Sequence, residues 1–238
     1  MARQAGIRDA QDLSSYGINL NLAPVVDVTN VYNTQLDHRT YGNTADLVTK
    51  MAGAYLDGLQ RSGKVIGTLK HFPGLGDVAI DPHIGVPQLI RSLSALKKID
   101  WAPYRSLIQQ GDIVHAIMVT HELVKAIDNT NPSSLSYKVI TGVLRNELGF
   151  QGIVMTDSLT MEGITAYYSE AQAAALAVEA GDDLLMGVNT PSSVAVMIEG
   201  IKQAMNDGQI SQQRIDDSVR RILLLKYQMG LLPIPATN

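Results

Sequence analysis

Apolar runs without alternation recur along this chain, each ending in polar residues and each followed by a helical pattern. That grammar constrains the fold more than any other feature. The runs are Ile18–Val26, Val65–Leu69, Ala116–Thr120, Gly152–Thr156 and Asp183–Met186. A strand with one wet face alternates apolar and polar side chains, whereas a strand covered on both faces does not. Helical spacing is read over Asp46–Arg61, from Ser92 as cap towards Ile108, and over Leu135–Leu148, Glu170–Ala180, Ser192–Asn206 and Gln212–Met229, with Gly63, Gly111 and Gly149 as stop signals. Met1 to Tyr16, mixed polar and small, reads as a helix end. Helical crossovers of about 10–15 residues between such strands give right-handed βαβ units and a parallel sheet.

An α/β barrel and a doubly wound sheet both satisfy this grammar. The dinucleotide-binding form of the second needs Gly-x-Gly-x-x-Gly after its first strand, and Gly74-Leu75-Gly76 lacks the third glycine and opens no helix. The strand ends carry Asp27, Lys70, His71, His121, Glu122 and Asp157, residues that a barrel would converge on one mouth. The expected fold is therefore α/β, of (β/α)8 TIM-barrel type, with five βα units present and the first three strands lacking. No linker, repeat or low-complexity segment divides residues 1–238, which are read as one partial barrel domain. A barrel of this kind closes with eight strands, so a five-strand sheet leaves open edges, and self-association through them is expected.

Composition acts by exclusion. Nineteen basic against 23 acidic residues, a net charge of -4 and no basic cluster give no footprint for nucleic acid. No run reaches the roughly 18 apolar residues of a membrane helix, so no membrane partner is expected. The absence of cysteine excludes disulfides, thiolate catalysis and cysteine zinc sites, and it leaves the compartment open between cytoplasmic and extracellular.

The chemistry concentrates between Gly67 and His83. The strand turns polar at Lys70-His71 and breaks at Pro73, and Gly74 and Gly76 then free the backbone of a loop that carries Asp81 and His83. Each piece has a plain reading as a strand end or a turn; their joint occurrence reads as chemistry on a mobile loop. Asp157 follows a buried run directly. It can cap the next helix, but Ser158 and Thr160 are available for that, which leaves it free as a nucleophile or metal ligand. Asp81, His83 and Asp157 together suit a double displacement in which a carboxylate attacks carbon while a proton reaches the leaving oxygen. Histidine titrates near neutrality and can supply that proton, with Asp81 holding its tautomer. A metal-dependent hydrolase built on His71, His83, His121 and Asp157 is the competing chemistry, although no two of these histidines share ligand spacing on one element.

Lys70-His71-Phe72-Pro73-Gly74-x-Gly76 with Asp81-x-His83, Leu22-Ala23-Pro24-Val25-Val26-Asp27-Val28, Arg39-Thr40-Tyr41, and Thr156-Asp157-Ser158-Leu159-x-Met161-Glu162-Gly163 occur in that order over nearly the whole chain. Together they resemble glycoside hydrolase family 3, most of all its exo-β-N-acetylglucosaminidase branch. The resemblance implies a retaining exo-glycosidase acting on terminal β-linked N-acetylglucosamine in a glycan or muropeptide. It implies Asp157 as the nucleophile, His83 as the acid/base with Asp81 its partner, and Arg39, Lys70 and His71 holding sugar hydroxyls. It calls for no cofactor and no metal. Leu75 stands where histidine is frequent in the family, and Pro82 stands where serine is frequent, restricting Asp81 to extended geometry. Family members also carry a barrel portion ahead of the Leu22 segment, with a Gln-Glu-Gly-Gly strand end that nothing here matches. A weakly active or inactive barrel fragment working inside a larger assembly is the alternative expectation.

Overall fold

In the computed structural model, residues 1–32, 34–78, 86–111 and 113–232 are described. The strands are β1 (Leu20–Asn21), β2 (Ile66–Phe72), β3 (Gln88–Leu89), β4 (Ala116–Val119), β5 (Leu123–Val124), β6 (Ile153–Ser158) and β7 (Leu184–Met186). The helices are α1 (Ala2–Ser15), α2 (Ala45–Gln60), α3 (Leu93–Lys98), α4 (Ala102–Ile108), α5 (Glu162–Thr165), α6 (Glu170–Ala180), α7 (Pro191–Asn206) and α8 (Gln212–Gln228). A 3-10 turn (Ser133–Leu135) and a π-type helix (Lys138–Glu147) lie between β5 and β6.

Five strands form one parallel sheet in the order β1-β2-β4-β6-β7, and β3 pairs with β5 in a separate small parallel ribbon. Spatial order follows chain order without a reversal, so the sheet curls as part of a barrel and has no topological switch point of the doubly wound kind. Burial follows the curl. All of β4 is buried, as are Ile153 to Thr156 of β6, while the terminal strands β1 and β7 are half-buried throughout. Covered central strands explain why the apolar runs show no alternation.

Register sets the functional edge. Val119 pairs with Phe72 on one side and with Thr156 on the other, which brings Lys70–Phe72, Thr120–Glu122 and Asp157–Ser158 to the same C-terminal rim. Beneath that rim Phe72 packs edge-on against Tyr104, with ring centres 5.1 Å apart, and lies beside Trp101; all three are fully buried. Large side chains of this kind contribute about 1.5–3 kcal/mol each when removed from water.

Several boundaries differ from those expected. The strand read as Val65–Leu69 continues through Lys70 and His71 to Phe72, and that read as Gly152–Thr156 runs on through Asp157 and Ser158. Backbone ladder partners outweigh side-chain polarity at these ends. The first run shrinks to Leu20–Asn21 plus a single bridge from Val25 to Lys70, because Pro24 between them has no N–H to give the ladder. The helix expected from Ser92 to Ile108 breaks into α3 and α4 at Trp101, since Pro103 lacks the N–H that a continuous helix would need there. Residues 135–148 divide into the 3-10 turn and the π-type helix, in which Leu148 N–H donates to Val143 O at 2.9 Å.

The segment read as a helix end is a full helix, α1. It lies against α2 at glycine distance: a Cβ on Gly6 would strike the Tyr55 carbonyl, and one on Gly58 the Arg3 carbonyl. At the opposite rim, where the strands begin, Asp183 receives Arg145 at 2.6 Å, Arg221 at 3.1 Å and the Ser218 hydroxyl, and thereby fastens α8 to the sheet.

Candidate active site

Asp27 stands at the centre of the C-terminal rim. It follows the bridge from Val25 to Lys70, is fully buried, and accepts three donors from the strand and loop beside it. His71 Nδ1 lies 2.8 Å from Oδ2, Leu75 N–H donates to Oδ1 at 2.7 Å, and His71 N–H is shared between the two oxygens at 3.3 and 3.4 Å. Charge-assisted bonds of this kind are about twice as strong as neutral ones. One carboxylate thus ties the end of β2 to the start of the loop that follows.

Lys70 is half-buried, and its pKa is lowered, first by burial and then by the nearby Arg39 charge; the Asp157 and Asp27 carboxylates oppose that shift. Arg39, Lys70, Asp157 and Asp27 therefore share one electrostatic neighbourhood. Arg39 is exposed and donates from Nη1 to the Gln35 carbonyl at 2.7 Å. Asp157, half-buried at the end of β6, accepts the Ser158 N–H through Oδ1 at 2.7 Å, and Oδ2 has no hydrogen bond among the described residues. It does not cap the following helix: the residue before α5 is Met161, which offers no side-chain cap, and the Ser158 and Thr160 hydroxyls bond each other at 2.8 Å.

His121 is held structurally. Its Nε2 lies 2.9 Å from the Ser158 carbonyl, which accepts and so fixes the proton on Nε2, while Nδ1 meets the Ser134 hydroxyl at 2.6 Å. With both nitrogens engaged it braces β6 and is a poor member of the metal set read from the sequence. Among the described residues no group of three His, Asp or Glu side chains is placed to hold a metal ion.

Two further acids lie behind the rim. Glu122 is fully buried, and burial, with Asp100 and Asp27 adding in the same direction, pushes its pKa well above the usual carboxylate range. Asp100 is raised to about 7 by burial, against the pull of Arg91, whose Nη1 lies 3.0 Å away. Arg91 also donates through Nε to Asp77 at 2.7 Å. Asp77 and Arg91 stand on opposite sides of the 79–85 segment, so this pair clasps its two flanks. The loop approach is tight as well: Gly74, at φ 141°, passes so close to Asp100 that a Cβ there would meet the Asp100 Cβ at 2.8 Å, and a Cβ on Gly76 would strike the Val28 carbonyl.

The structure thus gathers Arg39, Lys70, His71 and Asp157, four of the six residues singled out from the sequence. Asp81 and His83 lie outside the described residues. Sequence reasoning placed Asp27 and Glu122 at strand ends without seeing that one is the partner of His71 and the other is sealed in. It missed Arg91, just ahead of α3, and Asp100, in the turn between α3 and α4, neither of which has a motif around it. A cleft of about 300 Å³ between α8 and the starts of β4 and β6, lined by His115, Gln151 and Arg221, lies at the opposite rim from these groups.

Residues 1–225 match the glycosyl hydrolase family 3 N-terminal domain. Beta-hexosaminidase A of Pseudoalteromonas piscicida is 30% identical over 237 residues, covering 92% of this chain and 39% of that protein. The beta-hexosaminidase of Tolumonas auensis is 32% identical over 202 residues, covering 85% and 59% respectively. Among solved structures, a glycoside hydrolase family 3 beta-N-acetylglucosaminidase from Paenibacillus sp. str. FPU-7 superposes with a TM-score of 0.93 at 36% identity, over 100% of this chain and 45% of that one. The chain spans less than two thirds of the length of each of these proteins.

Proposed function

The chain belongs to glycosyl hydrolase family 3, and on that premise we propose that it forms the catalytic barrel part of a retaining exo-glycosidase that removes terminal β-linked N-acetylglucosamine. The observation that carries the reading is the rim itself: Lys70 set among Arg39, Asp157 and Asp27, with one Asp157 oxygen anchored on a backbone amide and the other unengaged among the described residues. In the proposed reaction Asp157 attacks the anomeric carbon, and the bond to the leaving oxygen breaks as His83 protonates that oxygen. His83 then takes a proton from water, whose oxygen attacks the same carbon and releases Asp157. Asp81 holds the His83 ring and stabilises its protonated form. Arg39, Lys70 and His71 hold sugar hydroxyls. The substrate is an N-acetylglucosamine-containing glycan or muropeptide, which fits a role in cell wall recycling.

The half-buried edge strands favour a second reading, in which the sheet completes its site only beside further strands, as part of a larger assembly or a second copy. A slow 2-fluoro glycoside, followed by mass spectrometry of the digested protein, tests the first reading. The expected result is a covalent adduct on Asp157, with turnover abolished and folding kept in Asp157→Asn. An active chain that carries the label on another residue, or on none, would remove the assignment.

A further inference from the structure

The two ring nitrogens of His71 do different things. Nδ1 faces Asp27 at 2.8 Å, and no hydrogen bond engages Nε2 among the described residues. The Asp27 carboxylate cannot turn away from the ring, because Leu75 N–H holds Oδ1 and His71 N–H holds both oxygens from the other side. A carboxylate oxygen only accepts, so the nitrogen facing it carries the proton, and the tautomer at the second nitrogen follows from the bond made by the first.

We propose that Asp27 is a positioning residue of this site: it holds His71 as the Nδ1–H tautomer, so that Nε2 is presented to the substrate as a hydrogen-bond acceptor for a sugar hydroxyl. An acceptor here complements Lys70, the residue before it, and Arg39, whose charge acts on Lys70. Lys70 and Arg39 offer only donors, and a hydroxyl lying among the three can then donate to His71 while accepting from Lys70. Without Asp27 the ring would be free to place its proton on Nε2 or to rotate, and His71, Lys70 and Arg39 together would offer a hydroxyl donors alone. The same carboxylate fixes Leu75 N–H, so ring and loop base are set by one group. The identity of the hydroxyl's owner rests on the function proposed above; the tautomer does not.

The test is nitrogen-15 NMR of the full chain labelled at histidine, with His71 assigned by difference from His71→Gln. At a pH where the ring is neutral, the expected signature is a protonated, pyrrole-type Nδ1 and a pyridine-type Nε2, and addition of N-acetylglucosamine moves the Nε2 resonance. In Asp27→Asn the Nδ1–H signature is expected to weaken or reverse, and kcat/KM on an aryl β-N-acetylglucosaminide to fall about tenfold or more, the loss of one charge-assisted hydrogen bond. A pyridine-type Nδ1 in the unaltered chain overturns the proposal even if Asp27→Asn fails to fold. An unchanged tautomer in a folded Asp27→Asn overturns it too, and so does an unchanged kcat/KM in an active one, while leaving the proposed glycosidase standing. A chain with no turnover at all counts against the proposed function, and the tautomer still decides the role of Asp27.

Discussion

Asp100→Asn should change how stability depends on pH while preserving shape at a crowded spot. Asp100 is 1% exposed, it backs the loop at Gly74, and burial lifts its pKa from 3.8 to about 7 despite the Arg91 guanidinium 3.0 Å away. Between those two values the folded chain keeps a proton that the unfolded chain has released. The folded state is therefore favoured at the acid end of the window, and its advantage falls as pH rises towards 7. The whole shift corresponds to ~4 kcal/mol, of which the part between pH 5 and pH 8 is ~3 kcal/mol. Asparagine removes the titration, keeps the volume and can still accept from Arg91. Trp101, the single tryptophan, is adjacent and fully buried, so urea unfolding followed by its fluorescence reads the relevant core directly. Moving from pH 5 to pH 8 should improve the stability of Asp100→Asn relative to the unaltered chain by ~3 kcal/mol. Glu122, also raised, chiefly by burial, titrates in both proteins, and only the smaller part of its shift that Asp100 causes differs between them. Parallel profiles, with the difference constant to within about 1 kcal/mol, would refute the reasoning and show Asp100 already ionised in the folded chain at pH 5.

Two further outcomes follow from the proposed chemistry and from the sheet. His83→Ala should slow glycosides with poor leaving groups by about 10²–10⁴-fold and aryl glycosides with acidic leaving groups far less, because only the former need the proton; equal losses on both would remove His83 from the acid role. The purified chain should self-associate in light scattering through the edges of β1 and β7, which pair on one side only among the described residues; a stable, fully active monomer would show that these edges need no partner.

The parallel sheet was legible because strands covered on both faces lose the alternation of a one-sided sheet, and each of the five runs overlaps a strand of the sheet. What the pattern could not give was where each strand stops. Lys70, His71, Asp157 and Ser158 look like loop residues by polarity and are strand residues by hydrogen bonding, because a functional rim puts polar side chains on the last ladder positions. Likewise Pro103 was visible, yet the spacing of apolar residues across it continued, and periodicity masked the break that the missing N–H enforces. In the site, residues within a motif were found and residues that serve the motif from elsewhere were not. Asp27 and His71 are far apart in sequence and meet only through the pairing of Val25 with Lys70. Arg91 and Asp100 are visible only once α3 and α4 are folded over the loop base.

The two rims balance buried charge differently. Where the strands begin, the Asp183 carboxylate is met by three arginines, Arg145, Arg214 and Arg221, and the arrangement binds a helix to the sheet, while burial pushes the adjacent Asp182 towards its neutral form. Where the strands end, Asp27, Asp100 and Glu122 are all buried, and among the described residues Arg91 alone pairs with any of them through a guanidinium. Asp27 is held by amide donors and the His71 ring, while burial pushes Glu122 and Asp100 towards their neutral forms. That leaves Asp27 behind this rim and Asp157 at it as the carboxylates that act on Lys70. For the displacement proposed here the reacting carbon gains positive charge in the transition state. Carboxylates already in place at the rim stabilise that charge without reorganising at the moment of reaction. The same field draws Lys70 back towards its charged form against the cost of its burial, so the residue that would grip the sugar and the groups that would stabilise the transition state depend on the same acids.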